Sequence, residues 1–245
     1  LEEFNEETPS GFKLNITEFR FMTAKTLFIT GASSGIGAAT ARAAIAAGWN
    51  VGLFARSEHK MRSLSDELGD RAMAFKGDVT SLDEQNKALA NLRHTFGGVD
   101  AAFANAGMGL ENPGTEGGDP EEWHEMVHVN ILGLLHTAKA AIPHLRQRKG
   151  HFLMTGSAAG RVHIPGSVYG ASKWFVHGFG GNLAEEMKEW GGRCTVIAPG
   201  MVNTDFFDEE KPDKLQPEDV ADAAMFALNA DPRNAVREVF LMPND

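Results

Sequence analysis

Apolar residues are distributed along this chain in two alternating textures. Short, nearly continuous apolar runs occur at 26–30, 50–55, 72–76, 99–104, 151–155, 195–198 and 238–242. Runs of that length, without polar alternation, read as strands buried on both faces. Between them lie longer mixed stretches with helical spacing, which predict helices over 36–47, 58–68, 82–96, 120–148, 168–190 and 217–229. Gly48 and Gly69 close the first two, and Pro217 opens the last, as helix-end chemistry favours. Pro143 lies inside 120–148 and predicts a kink or break there, because its ring removes an N–H and crowds the preceding turn.

Strands alternating with helices imply parallel βαβ units with right-handed crossovers, hence helices on both faces of one sheet. The expected fold is α/β and doubly wound: a mostly parallel seven-stranded sheet in a three-layer αβα arrangement. No internal repeat or linker divides 22–245, so one domain is expected there. The stretch 1–21 is acidic and aperiodic, and it precedes Met22; it reads as a leader or flexible arm. In a sheet of this kind ligands bind beyond the carboxyl ends of the strands, where the strand order reverses. The unusual residues do cluster after the first, fourth, fifth and sixth strands.

Charge and composition narrow the chemistry. The 23 Lys and Arg against 33 Asp and Glu leave a net charge of −10, which excludes a general nucleic-acid binder. The basic run Arg146-Gln147-Arg148-Lys149 ends a predicted helix, where cations suit the dipole. The single cysteine, Cys194, cannot form an intrachain disulfide and reads as a small core residue. No apolar run approaches the ~18–20 residues that span a bilayer, and no secretory signal is visible, so a cytoplasmic protein with no membrane partner is expected. His128, His136 and His144 lack a companion carboxylate or cysteine set, so no metal site is expected.

The first strand runs into Thr30-Gly31-Ala32-Ser33-Ser34-Gly35-Ile36-Gly37 and then a helix. Gly31 permits a tight turn, Gly35 a close approach of pyrophosphate, and Gly37 close packing of helix on sheet. The helix N-terminus then offers free N–H groups to phosphate. Tyr169, the only tyrosine, stands four residues before Lys173, which places both on one helix face. A free phenol titrates near ~10 and is a poor base, and a nearby ammonium favours its ionised form.

Thr30 to Gly37 resembles the cofactor fingerprint of the short-chain dehydrogenase/reductase family in its compact single-domain form. The resemblance recurs in order: Asn105-Ala106-Gly107, Asn130, Ser157, Tyr169 with Lys173, and Pro199-Gly200-Met201-Val202-Asn203-Thr204. It covers the chain from about Met22 onward and implies a Rossmann-type fold and hydride transfer with a nicotinamide cofactor. It also implies that Tyr169 is the acid/base and Ser157 the donor to the substrate oxygen, with Thr155 as the alternative hydroxyl. Lys173 would bind the nicotinamide ribose, and Asn130 would hold a water leading from Lys173 to solvent. The implied cofactor contacts are Gly31, Ser33, Ser34, Gly35, Ile36, Gly37, Arg56, Asp78, Val79, Asn105, Ala106, Gly107, Tyr169, Lys173, Pro199, Gly200, Val202 and Thr204.

The second strand ends in Ala55-Arg56, with no acid to meet a ribose 2′-OH and a guanidinium able to pair with a 2′-phosphate. NADP(H) is therefore expected, with NAD(H) the alternative. The expected substrate is a small carbonyl compound or alcohol. The alternatives are an NAD(H)-dependent alcohol or hydroxy-acid dehydrogenase, a sugar-nucleotide epimerase or dehydratase, and a non-catalytic cofactor-binding protein. Residues 205–215 stand where the family carries its substrate lid and are short and acidic. Met108-Gly109-Leu110 and His163-Ile164 are candidate pocket walls. The resemblance further implies a homodimer or homotetramer paired through the helices at 121–148 and 168–190.

Overall fold

A computed structural model describes residues 24–112, 114–207 and 209–244; the expected arm at 1–21 and the start at Met22 lie outside the described residues. Seven strands form the sheet: β1 (Thr26–Thr30), β2 (Asn50–Ala55), β3 (Ala72–Lys76), β4 (Ala101–Ala104), β5 (His151–Thr155), β6 (Arg193–Pro199) and β7 (Glu238–Leu241). Their order is β3-β2-β1-β4-β5-β6-β7, and every pairing is parallel. The chain winds outward from β1 to one edge and then from β4 to the other, so the switch point lies between β1 and β4.

The helices are α1 (Gly35–Ala46), α2 (Glu58–Leu68), α3 (Leu82–Phe96), α4 (Pro120–Val127), α5 (Leu134–Arg148), α6 (Val168–Lys188) and α7 (Pro217–Asn229). They divide the core in two. On one face Leu27, Ile29, Leu53, Phe103 and Ile197 pack with alanines of α1 and with Val220, Ala224 and Leu228 of α7. On the other, Phe28, Phe54, Ala102, Phe152 and Val196 meet Leu89 and Leu92 of α3, Leu145 of α5 and Val176 and Leu183 of α6. Successive residues of β1 thus enter opposite cores, which is why its apolar run is continuous.

The long helical stretch departs from expectation. It runs unbroken through Pro143, and the irregularity is a π-helical segment, His128–Gly133, between α4 and α5. Pro143 and Lys139, whose carbonyl the proline leaves without a donor, both lie on the exposed side, where water can take that carbonyl. The other boundaries shift by a few residues: β4 opens at Ala101, β6 is longer, and α6 stops at Lys188.

Candidate functional site

The sequence-selected residues do gather at the carboxyl ends of β1, β4, β5 and β6. After β1, Gly31 and Gly35 take left-handed backbone, with φ of 64° and 50°. Gly37 is packed so tightly that a Cβ there would lie 2.3 Å from the Gly31 carbonyl oxygen and 2.9 Å from Asn105 Nδ2. Ser34, the N-cap of α1, makes no side-chain capping bond, and the first turn carries no acid. The amides of that turn therefore lack an internal anion, the condition for binding a phosphate.

Asn105 joins three strand ends. Its Nδ2 donates to the carbonyls of Thr30 (3.2 Å) and Gly31 (3.3 Å), and its Oδ1 accepts from Thr155 Oγ1 (3.0 Å). Thr30 Oγ1 accepts from the backbone amides of Asn105 and Ala106. Thr155 thus uses its hydroxyl in the scaffold. Ser157 Oγ accepts from the Ala159 amide at 3.1 Å, and its hydroxyl moderates the rise of the Tyr169 phenol.

Lys173 is 6% exposed, and its Nζ donates to the Thr155 carbonyl at 2.9 Å. Nζ lies 5.7 Å from the centre of the Tyr169 ring, and a Cβ on Gly107 would come within 3.7 Å of it. Burial draws the Lys173 ammonium down to about 8. The Tyr169 phenol is pushed above its ordinary value by burial, with the Ser157 hydroxyl opposing. The sequence leads one to expect the ammonium to favour the phenolate; in the protein alone, desolvation is the larger effect and the phenol shifts the other way.

Asn130 sits in the π segment, 3% exposed. Its Oδ1 accepts from the Met108 amide (2.9 Å), and its Nδ2 donates to the Met108 carbonyl (3.0 Å) and Ser172 Oγ (3.2 Å). Ser172 in turn donates to the Tyr169 carbonyl at 2.7 Å. The side chain thereby fastens the loop after β4 to the first turns of α6. Asn130→Ala strands two backbone groups of Met108, and a loss of about 1–3 kcal/mol is expected. Urea unfolding with an unchanged slope measures it; parental stability would show that the Met108 bonds contribute nothing.

Beyond β3, Asp78 Oδ1 accepts from the amide and hydroxyl of Thr80, and buried Val79 packs where a Cβ on Gly133 would meet its Cγ2 at 2.9 Å. Arg56 is exposed, 3.9 Å from Glu125, and both border a hollow of about 460 Å³ shared with Asp78 and Val129. A second hollow, of about 200 Å³, is bordered by Ser33, Arg42, His59, Lys60 and Glu67. After β6, the Gly200 amide donates to the Leu241 carbonyl, and Val202 bridges to Leu215. Thr204 then comes against the glycine loop, its Cγ2 3.1 Å from where a Cβ on Gly35 would stand.

One site residue escapes the sequence reading. Phe206 lies 5.5 Å from the Tyr169 ring, centre to centre, and its Cζ would be 2.9 Å from a Cβ on Gly109. Its loop stands out in the sequence for its acids, yet the signal was there: Phe206-Phe207 follows Thr204 almost directly. Asp205 does carry a charge role, pairing with Lys60 at 3.6 Å. On the other rim His163 stacks on Trp174 at 5.4 Å, beside exposed Ile164. Cys194 is buried and its thiol pushed up to about 12, as suits a core residue. No described helix is long and apolar enough to cross a membrane.

Comparison with known proteins agrees with this geometry. The sequence profile of the short chain dehydrogenases matches residues 25–215. An uncharacterised oxidoreductase of Staphylococcus aureus (strain MRSA252) is 35% identical over 228 residues, 91% of this chain and 98% of that protein. Among solved structures, an alcohol dehydrogenase from the archaeon Thermococcus sibiricus, complexed with 5-hydroxy-NADP, aligns with a TM-score of 0.83 at 30% identity, covering 90% of this chain and 97% of that one. The 3-ketoacyl-(acyl-carrier-protein) reductase of Brucella melitensis, complexed with NADH, aligns with a TM-score of 0.81 at 27% identity, covering 88% and 96%. The fold is that of an oxidoreductase with an NAD(P)-binding domain. The chain belongs to the short chain dehydrogenase family.

Proposed function

We propose that the protein transfers a hydride between NADP(H) and a small carbonyl compound or secondary alcohol, with Tyr169 as the acid/base. The observation that carries the reading is the buried Lys173 ammonium, 5.7 Å from the centre of the Tyr169 ring and bonded to the Thr155 carbonyl at the end of β5, next to the Ser157 turn. The glycine loop fits a dinucleotide: two left-handed glycines, uncapped amides, and no room for a side chain at Gly37. When bound, the nicotinamide supplies or accepts the hydride. The remaining chemistry belongs to this chain.

The Tyr169 phenol, raised further by burial, is protonated in the neutral range, the form that donates a proton to a carbonyl oxygen. Run in reverse, the same oxygen takes the hydroxyl proton of an alcohol. Ser157 donates a hydrogen bond to the substrate oxygen and stabilises the negative charge that develops there. Ser33, Ser34, Gly35, Ile36 and Gly37 hold the phosphates, Asp78 and Val79 flank the adenine, and Thr204 with Pro199, Gly200 and Val202 forms the wall at the nicotinamide end. Asn105, Ala106 and Gly107 shape the floor, and Asn130 orders the wall beside Lys173. Exposed Val127, Leu132 and Trp174 on the outer helices favour assembly into a homodimer or homotetramer, which light scattering measures.

NADP(H) is preferred because Arg56 is exposed and its ion-pair partner among the described residues, Glu125, is distant at 3.9 Å. A charge-assisted bond to phosphate contributes about 1.5–3 kcal/mol, so Arg56→Asp is expected to weaken NADPH binding by about ten- to a hundredfold and NADH binding little. Equal effects on the two cofactors would refute the assignment. The reaction itself is tested by following NADPH and NADH oxidation with benzaldehyde, cyclohexanone and ethyl acetoacetate, and the reverse with secondary alcohols and short hydroxy acids. Cofactor binding without turnover on any of them would sink the carbonyl/alcohol reading.

A further inference from the structure

We infer that His177 is a positioning residue that sets the direction of the Ser157 hydroxyl through the backbone of its turn. The inference rests on the acid/base reading above, in which Ser157 meets the substrate oxygen. His177 follows Lys173 by one turn of α6, so the two side chains share a face. Its ring lies between the glycines that bracket Ser157. A Cβ on Gly156 would stand 3.0 Å from His177 Nε2, and one on Gly160 would stand 2.6 Å from Cδ2. Nε2 itself is 3.1 Å from the Ser157 carbonyl.

A carbonyl oxygen only accepts, so the proton of this contact must be on Nε2. The other nitrogen, Nδ1, faces Glu238 Oε2 of β7 at 3.7 Å. Glu238 is already held by Arg161, whose Nε meets Oε1 at 3.1 Å and whose Nη2 meets Oε2. Arg161 therefore balances the carboxylate charge, and His177 is not drawn into taking a second proton. Burial, with the Arg161 and Lys173 charges, also lowers the imidazole below its ordinary value. The ring is thus a neutral donor with one proton, aimed at one carbonyl.

The Ser157 turn has two main-chain anchors at its ends. The Gly156 amide donates to the Ile197 carbonyl at 2.7 Å, and the Gly160 amide folds back on the Ser157 carbonyl at 3.0 Å. The first fixes where the turn leaves β5, and the second closes it on itself. Gly160 packs on the Lys173 backbone, and His177 adds the hydrogen bond from α6, the helix that also carries Tyr169 and Lys173, to the carbonyl of Ser157 itself. A serine displaced by about 1 Å from the reacting atoms can lose about 10²-fold in rate.

The test uses the full chain, NADPH and whichever carbonyl compound of the panel turns over fastest. His177→Leu is expected to lower kcat by about ten- to a hundredfold with cofactor affinity near parental. His177→Gln, whose Nε2 can donate to the same carbonyl, is expected to recover most of that loss. Ser157→Ala is measured alone and combined with His177→Leu. If His177 acts through Ser157, the double variant is no slower than Ser157→Ala by itself, which a general packing role would not produce. Parental kcat in His177→Leu, an equal loss in the glutamine variant, or additive losses in the double variant would overturn the inference alone. Undiminished kcat in Ser157→Ala would overturn the acid/base reading, and this inference with it. Should the leucine variant fail to accumulate, His177→Met replaces it on the same criteria.

Discussion

Tyr169→Phe is expected to lower kcat by about 10²–10⁴-fold, the range that a positioned acid or base contributes. The substitution removes one oxygen and leaves the ring, so the contact with Phe206 and the packing of α6 persist. Cofactor affinity, read by nicotinamide fluorescence, should stay close to the parent's. Ser157 keeps its bond from the Ala159 amide and does not lose its place. The loss should be fullest in the neutral range and narrow at alkaline pH. In the parent, reduction should decline as the raised phenol ionises, a decline that the variant lacks. Turnover within a few fold of parental would show that the phenol does not carry the proton.

A second large effect is expected at Gly37, this time on the scaffold. A methyl group there would be forced to 2.3 Å from the Gly31 carbonyl, a main-chain atom in the tight turn, and would press on Asn105 Nδ2. Gly37→Ala should therefore destabilise by about 1–3 kcal/mol through overpacking and distort the turn that meets the pyrophosphate. Gly181→Ala makes a useful contrast. Gly181 lies in α6, where an added Cβ meets nothing within 4 Å, so it should stabilise by about 0.5–1 kcal/mol. Thermal unfolding with and without NADPH measures both. Alanine at Gly37 with parental cofactor affinity would show that the loop adapts and that its close packing is incidental.

Much of this architecture was legible in the chain because burial on both sides of the sheet leaves a pattern. Leu27-Phe28-Ile29 feeds two cores at once, and no helix or exposed strand would need three such residues in succession. The glycine loop was legible because conformations such as those of Gly31 and Gly35 favour glycine. The features that escaped are tertiary. Val79 against Gly133 and the Asn130 grip on Met108 accompany the π segment, and none of these is a neighbour in sequence. Pro143 looked disruptive because its exposed setting cannot be read from its type. Phe206 acquires its place over Tyr169 only when β6 is laid beside β5. The raised phenol likewise depends on how deeply α6 is seated.

The π segment also introduces a phase slip into an otherwise continuous rod. A π turn accommodates one residue more than an α turn, and each residue advances the azimuth by about 100°. The inward stripe that ends at Met126 is therefore out of step with the one that resumes at Leu134, Ala138, Ala141 and Leu145. The upstream half can turn its side chains to the rim near Arg56 without dragging the downstream half off the sheet. α6 has no such slip. A single inserted or deleted residue between Tyr169 and Lys173 would carry the ammonium about a quarter-turn away from the phenol. Of the two long elements that flank the site, one absorbs changes in length and the other cannot.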